Sequence, residues 1–174
     1  MKSCNEIIMS RRSTKKYLPD VMPKAEDIDS IIEAGINAAS GRNMQASIVI
    51  AVTNKEIRDR LSAANAAVMG ASGDPFYGAP CVLVVLAEKT AHTYVYDGSL
   101  TLGNMMLTAH ELGLGSCWVH RAKEVMEQDE WKEWIKSLGL EGEYEGIGNL
   151  VVGYADCDYP ANKERREGRV VYVD

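Results

Sequence analysis

The sequence predicts a single α+β domain over residues 1–174, and three observations carry that expectation. Residues 46–53 (A-S-I-V-I-A-V-T) and 80–87 (P-C-V-L-V-V-L-A) are continuous apolar runs without alternation, as expected for strands of a sheet covered on both faces. Stretches with helical spacing of apolar residues lie between and beyond them. At 174 residues and 46% hydrophobic content the chain can bury one sizeable core, and it has neither an internal repeat nor a linker that would divide it.

Taken in order, Ser3-Cys4-Asn5-Glu6 has the S-x-x-E form of a capping box and precedes Ile7-Ile8-Met9, so a short helix ends near Arg11-Arg12-Ser13. Residues 26–39 place Ile28, Ile31, Ile32, Gly35 and Ile36 on one stripe of a second helix, which Ser40-Gly41-Arg42-Asn43 stops. After the strand at 46–53, Thr53-Asn54-Lys55-Glu56 is a second capping box. It opens a helix with Ile57, Leu61, Ala64 and Val68 inward. Residues 70–78 form a loop before the strand at 80–87.

Residues 96–112 are helical with apolar side chains around most of the circumference. Such a helix is buried, either centrally or in a subunit interface. Gly113 and Gly115 end it, and 116–120 is a third strand. Residues 122–138 are expected as one helix, with Trp131, Trp134, Ile135 and Leu138 on one side and Gly139 as its stop. A fourth strand follows at 147–154 and a fifth at 169–173.

Composition excludes several classes of function. Nineteen basic against twenty-five acidic residues give a net charge of −6, which argues against a nucleic-acid binder or an anionic-membrane binder. No apolar run approaches the ~20 residues that span a bilayer, and the first six residues lack the apolar core of a signal peptide. Cys4, Cys81, Cys117 and Cys157 are far apart, and His92, His110 and His120 form no ligand pair. A zinc site or disulfide framework is therefore not expected, and a reduced cytoplasm is. Gly113-Leu114-Gly115-Ser116 does not complete a dinucleotide-binding G-x-G-x-x-G, and no phosphate loop or G-x-S-x-G elbow occurs. Cys117 and His120, three apart on a strand, point to opposite faces and cannot form a dyad.

The positive charge is unevenly placed. Arg11-Arg12-Ser13-Thr14-Lys15-Lys16 and Lys163-Glu164-Arg165-Arg166-Glu167-Gly168-Arg169 hold eight of the nineteen basic residues. On charge alone these are either two solvated polar ends or two halves of one anion site, with Ser13 adding a hydroxyl donor.

Five segments together narrow the choice: Arg11-Arg12-Ser13-x-Lys15, Ser40-x-x-Asn43-x-Gln45, Gly78-Ala79-Pro80, Gly113-Leu114-Gly115-Ser116-Cys117-Trp118 and Gly148-Asn149-Leu150-Val151-Val152-Gly153-Tyr154. In these motifs and their order the chain resembles the nitroreductase family of flavoproteins. The resemblance implies an α+β fold with a central, mainly antiparallel sheet. It also implies an intertwined homodimer with two FMN sites at the subunit interface. Arg11, Ser13, Lys163 and Arg165 would hold the FMN phosphate, with Arg12 near the phosphate or ribityl chain. Lys15 would reach the pyrimidine edge of the ring. Ser40, Arg42 and Asn43 would come from the partner subunit, and Gln45 would meet the ring or ribityl face. Gly115, Ser116 and Cys117 would lie against the flavin. The implied activity is ping-pong hydride transfer from NAD(P)H through FMN to nitroaromatics, quinones or related small acceptors. No protein acid, base or nucleophile is required, because the cofactor carries the chemistry.

The chain departs from the family pattern in three places. Ala39 stands where a Pro often precedes the Ser, and Ala46-Ser47 stands where Pro-Trp follows the Gln. No Lys or Arg occurs between Arg60 and Lys89, where some members place a flavin-facing Lys, and Asp74 is nearby instead. Lys15 or Arg42 is left for that task. Residues 88–96 leave no room for a long helical lid, so Tyr77, Tyr94 and Tyr96 are candidate walls of an open pocket. The same departures keep open a second reading, an FMN-binding storage or sensor protein with little turnover.

Overall fold

The computed structural model describes residues 3–174. Its elements are α1 (Cys4–Ser10), α2 (Ala25–Ile36), β1 (Ser47–Val52), α3 (Lys55–Met69), β2 (Cys81–Glu88), α4 (Tyr94–Glu111), β3 (Gly115–Val119), α5 (Ala122–Met126), α6 (Asp129–Ser137) and β4 (Tyr144–Gly153). The strands form one antiparallel sheet in the order β1-β2-β4-β3, so the expected α+β class with an antiparallel sheet is what the chain adopts.

Local chemistry sets the helix starts. At α1 both halves of the capping box are present: the Glu6 N–H donates to Ser3 Oγ, and the Ser3 N–H donates to Glu6 Oε2 at 2.6 Å. At α3 the cap falls one residue later than the S/T-x-x-E pattern indicates. Asn54 Oδ1 accepts the Ile57 N–H at 3.0 Å, in keeping with Asn being a stronger cap than Thr.

The sheet is the middle of three layers. Strand periodicity sends Val82, Val84 and Leu86 into one core with Leu61, Val125, Met126, Trp131 and Ile135, beneath α3, α5 and α6. Cys81, Leu83, Val85 and Ala87 enter the opposite core with Ile28, Ile31, Leu102, Met105 and Ala109 of α2 and α4. Burial pushes the Cys81 thiol up to about 12, as suits a core residue rather than a nucleophile. A bulge opposite Val85 and Leu86 gives β4 the extra residue Ile147. There α4 lies so close that a Cβ at Gly98 would stand 2.6 Å from the Ile147 side chain.

Two expected elements differ. The helix expected at 122–138 is two, α5 and α6, broken where Gln128 is extended at φ −75°, ψ 144°. In one straight helix the pair Val125/Met126 would point about 150° away from the pair Trp131/Ile135. The break turns both pairs into the same core. Residues 169–173 form no strand within the chain. Val171, Tyr172 and Val173 are 83%, 87% and 93% exposed, and the run pairs with no strand of this chain. The helix expected to be apolar all round buries Leu102, Met105 and Ala109 but leaves Tyr96 and Leu100 in the open.

Candidate active site

The segment after α1 runs along the starting end of β3 and the exit of β4. Ser13 bridges Ser116 in parallel, and the Thr14 N–H donates to the Ser116 carbonyl at 3.0 Å. Tyr17 bridges Ala155, its N–H donates to the Tyr77 carbonyl at 3.2 Å, and its hydroxyl donates to the Thr14 carbonyl at 2.9 Å. Residues 11–15 are thereby fixed beside Gly115, Ser116 and Cys117. Gly115 is needed there, since a Cβ would sit 2.8 Å from Thr14 Oγ1. Ser116 and Cys117 bury their side chains, which leaves backbone for a ligand to meet.

The charges in this corner are unpaired. Among the described residues Arg11, Arg12 and Lys15 form no ion pair, whereas Lys16 is taken by Asp156 at 2.8 Å. The Arg12 guanidinium donates to the Arg11 carbonyl, and Lys15 lies 6.0 Å over the Tyr77 ring. Arg11 Nη1 is buried without a hydrogen-bond partner, and so is Thr14 Oγ1. Buried donors of a guanidinium are normally satisfied, so an orphan beside two further cations fits an anionic ligand. Burial raises the pKa of the Cys117 thiol, while the Ser13 hydroxyl and the charges of Lys15 and Arg11 partly offset it. Burial outweighs these influences, so the Cys117 thiol is no activated nucleophile.

The Ser40, Arg42, Asn43 and Gln45 loop is elsewhere. Arg42, Asn43 and Gln45 all have positive φ. The turn is held by the Gln45 N–H donating to Ser40 Oγ at 3.1 Å and by the Gly41 N–H donating to Asp97 Oδ1 at 3.1 Å. It leads into β1, one edge of the sheet, where Ser47 is opposite Ala87. Ser116 is on the other edge, opposite Val152 and so level with Cys81. Three strand spacings across and six residues along separate the two corners by about 25 Å. One chain does not bring the two groups of predicted residues together.

Lys163 and Arg165 are exposed in the tail after β4 and form no ion pair among the described residues. The tail nevertheless returns to the basic corner. A cleft of about 420 Å³ is lined by Ser10, Thr14, His110 and Gly115 on one side and by Tyr159 and Asn162 on the other. Thr14, His110 and Tyr159 were not singled out from sequence. Thr14 had a signal, lying inside the Arg11–Lys15 motif; the meeting of His110 and Tyr159 had none.

Asp74 does not stand in for a missing flavin-facing lysine. Its carboxylate accepts from the Phe76 N–H at 2.9 Å, the Gly78 N–H at 2.7 Å, the Ser62 hydroxyl at 2.5 Å and Arg58. It organises its own loop, beside a second cleft of about 370 Å³.

A model of the nitroreductase family matches residues 8–154. A relative in Archaeoglobus fulgidus, provisionally named an NADH dehydrogenase/NAD(P)H nitroreductase, is 32% identical over 124 residues, 68% of each chain. One of the same name in Methanothermobacter thermautotrophicus is 31% identical over 117 residues, 65% of this chain and 58% of that relative. Among solved structures, a nitroreductase with bound FMN from Bacteroides fragilis superposes with a TM-score of 0.86 at 26% identity. Another with bound FMN, from Desulfitobacterium hafniense, gives 0.87 at 27%. Both alignments cover 100% of each chain.

Proposed function

The chain belongs to the nitroreductase family, and from that premise we propose that residues 1–174 act as one FMN-binding domain of an NAD(P)H oxidoreductase. The observation that carries this reading is the buried, unpartnered Arg11 Nη1 beside Arg12 and Lys15, which form no ion pair among the described residues. Arg11, Ser13, Lys163 and Arg165 would hold the phosphate, with Arg12 beside it. Lys15 would bring positive charge to the pyrimidine side, where reduction builds negative charge. Gly115, Ser116 and Cys117 would offer backbone to the ring. When bound, FMN supplies the redox chemistry, taking a hydride from NAD(P)H and passing electrons to a nitroaromatic, quinone or similar acceptor in a ping-pong cycle. The lysine that some members place before the second strand has no counterpart, and Lys15 takes that task because Asp74 is committed to Arg58.

Two observations support a homodimer. The corner of Ser40, Arg42, Asn43 and Gln45 is about 25 Å from that of Arg11, so one site needs both corners from two chains. Tyr96 and Leu100 on α4 and the run Val170, Val171, Tyr172 and Val173 present apolar surface that a second copy would cover.

The test is the visible spectrum of the purified protein, with the released small molecule weighed and the native mass measured. We expect flavin bands, the mass of FMN at about one per chain, and a particle of twice 19.1 kDa. A colourless protein that does not take up added FMN would overturn the reading.

A further inference from the structure

The tail after β4 has no helix or strand, yet it is tied down before it reaches Lys163 and Arg165. The Asp156 N–H donates to the Lys16 carbonyl at 3.0 Å, and the Asp156 carboxylate pairs with Lys16. Tyr159 is the last tether: among the described residues, none beyond it makes a hydrogen bond or ion pair.

Tyr159 is held by α4 and the basic segment directly and is linked to α1 through His110. Its ring stacks on His110, in the last turn of α4, with centroids 5.3 Å apart and planes 19° apart. Its hydroxyl lies 3.2 Å from His110 Nδ1 and accepts the backbone N–H of Arg12. The other ring nitrogen, His110 Nε2, is 2.8 Å from the hydroxyl of Ser10, the last residue of α1. The tail is therefore pinned at a single side chain to α4 and to the basic segment, with His110 in turn bonded to α1. Asn162 lies in the same cleft as Thr14 and Gly115, and Lys163 is the next residue. From Tyr159 to Lys163 the chain reaches at most about 14 Å.

Resting on the flavin reading above, we propose that Tyr159, clamped by His110, is a positioning residue for the phosphate end of the site. It delivers Lys163 and Arg165 to the anion that Arg11 holds. Without the clamp these cations hang on a longer free segment, and ordering them costs more chain entropy when the anion binds. The device acts through the cations that meet the phosphate, so a flavin without that group should not depend on it.

FMN and riboflavin, which lacks the phosphate, separate this role from a general structural one. Affinities for both are measured with wild type, Y159A, Y159F, the pair K163A/R165A, and Y159A combined with that pair. We expect Y159A to weaken FMN about tenfold and riboflavin less than about twofold, with Y159F recovering part of the loss through the retained stack on His110. In the K163A/R165A background Y159A should add no further loss, since its effect runs through those two cations. Equal weakening of both flavins by Y159A, or an effect that simply adds to that of K163A/R165A, overturns the assignment. Tyr159 is half exposed, and unchanged thermal melting of flavin-free Y159A excludes misfolding as the cause. Wild-type protein that takes up neither flavin removes the cofactor reading itself, a failure visible without any variant.

Discussion

Arg58 on α3 and Arg11 at the end of α1 are both partly hidden arginines, and their surroundings are opposite. Arg58 Nε donates to the Ala79 carbonyl at 2.9 Å, Nη1 to Asp59 at 3.1 Å and Nη2 to Asp74, while its guanidinium lies 5.5 Å over the Phe76 ring. Arg11 has a buried Nη1 with no acceptor, and among the described residues it forms no ion pair. Both corners have clefts of similar size, about 370 and about 420 Å³, so cavity volume does not tell them apart. Hydrogen-bond satisfaction does. A buried charge that the chain pairs for itself is part of the architecture; one it leaves unpaired is free to bind something else.

The comparison is sharpest in the stability of the flavin-free protein. Arg58→Met should cost about 3–5 kcal/mol, because it leaves the half-buried Asp74 carboxylate without its cation and frees the 74–79 loop. Arg11→Met should change the same quantity by less than about 1 kcal/mol, since it breaks no bond within the chain. Urea denaturation of the two variants measures both values. The comparison breaks if Arg11→Met unfolds the protein as readily as Arg58→Met.

The second effect is on ligand rather than fold. Arg11→Met should weaken FMN by about 1.5–3 kcal/mol, roughly 10- to 150-fold, the worth of one charge-assisted contact. Equilibrium titration with FMN reads it directly. An unchanged affinity would make Arg11 a spectator and return its corner to solvated surface.

Most of the fold was legible because the apolar patterning is local. The buried run of β2, the stripe of α2 and the capping box of α1 each need only neighbouring residues to be read. The errors lie where tertiary packing decides. The α5–α6 break follows from a shared core that Val125 and Trp131 reach from different helical faces. The exposed 169–173 run has strand-like sequence but pairs with neither edge of the sheet. The site divides in the same way. The motif residues 11–15 and 115–117 were found through family resemblance, and the sheet does bring them together. Which cations lack a partner depends on contacts distant in sequence. Asp74 is near the place where some members put a flavin-facing Lys, and nothing local in the sequence shows that Arg58, sixteen residues earlier, holds it. His110 and Tyr159 are 49 residues apart, with no motif joining them.

The smallest effect separates the two corners by pH. Burial by itself would raise the Asp74 carboxyl, but Arg58, the Ser62 hydroxyl and the N–H groups of Gly78 and Phe76 more than offset that and hold it below its ordinary 3.8. A carboxyl whose folded pKa lies below its unfolded one stabilises the protein above the unfolded value. That stability is lost as pH falls through the folded value. Asp74→Asn is uncharged throughout, so the melting difference between wild type and this variant follows the Asp74 proton. It should be full at neutral pH and shrink below about pH 4. Arg11 forms no ion pair among the described residues, so the melting difference between wild type and Arg11→Met should stay flat over the same range. If both differences fell together in acid, the charge near Arg11 would be coupled to a carboxylate after all, and the two arginines would differ in degree rather than in kind.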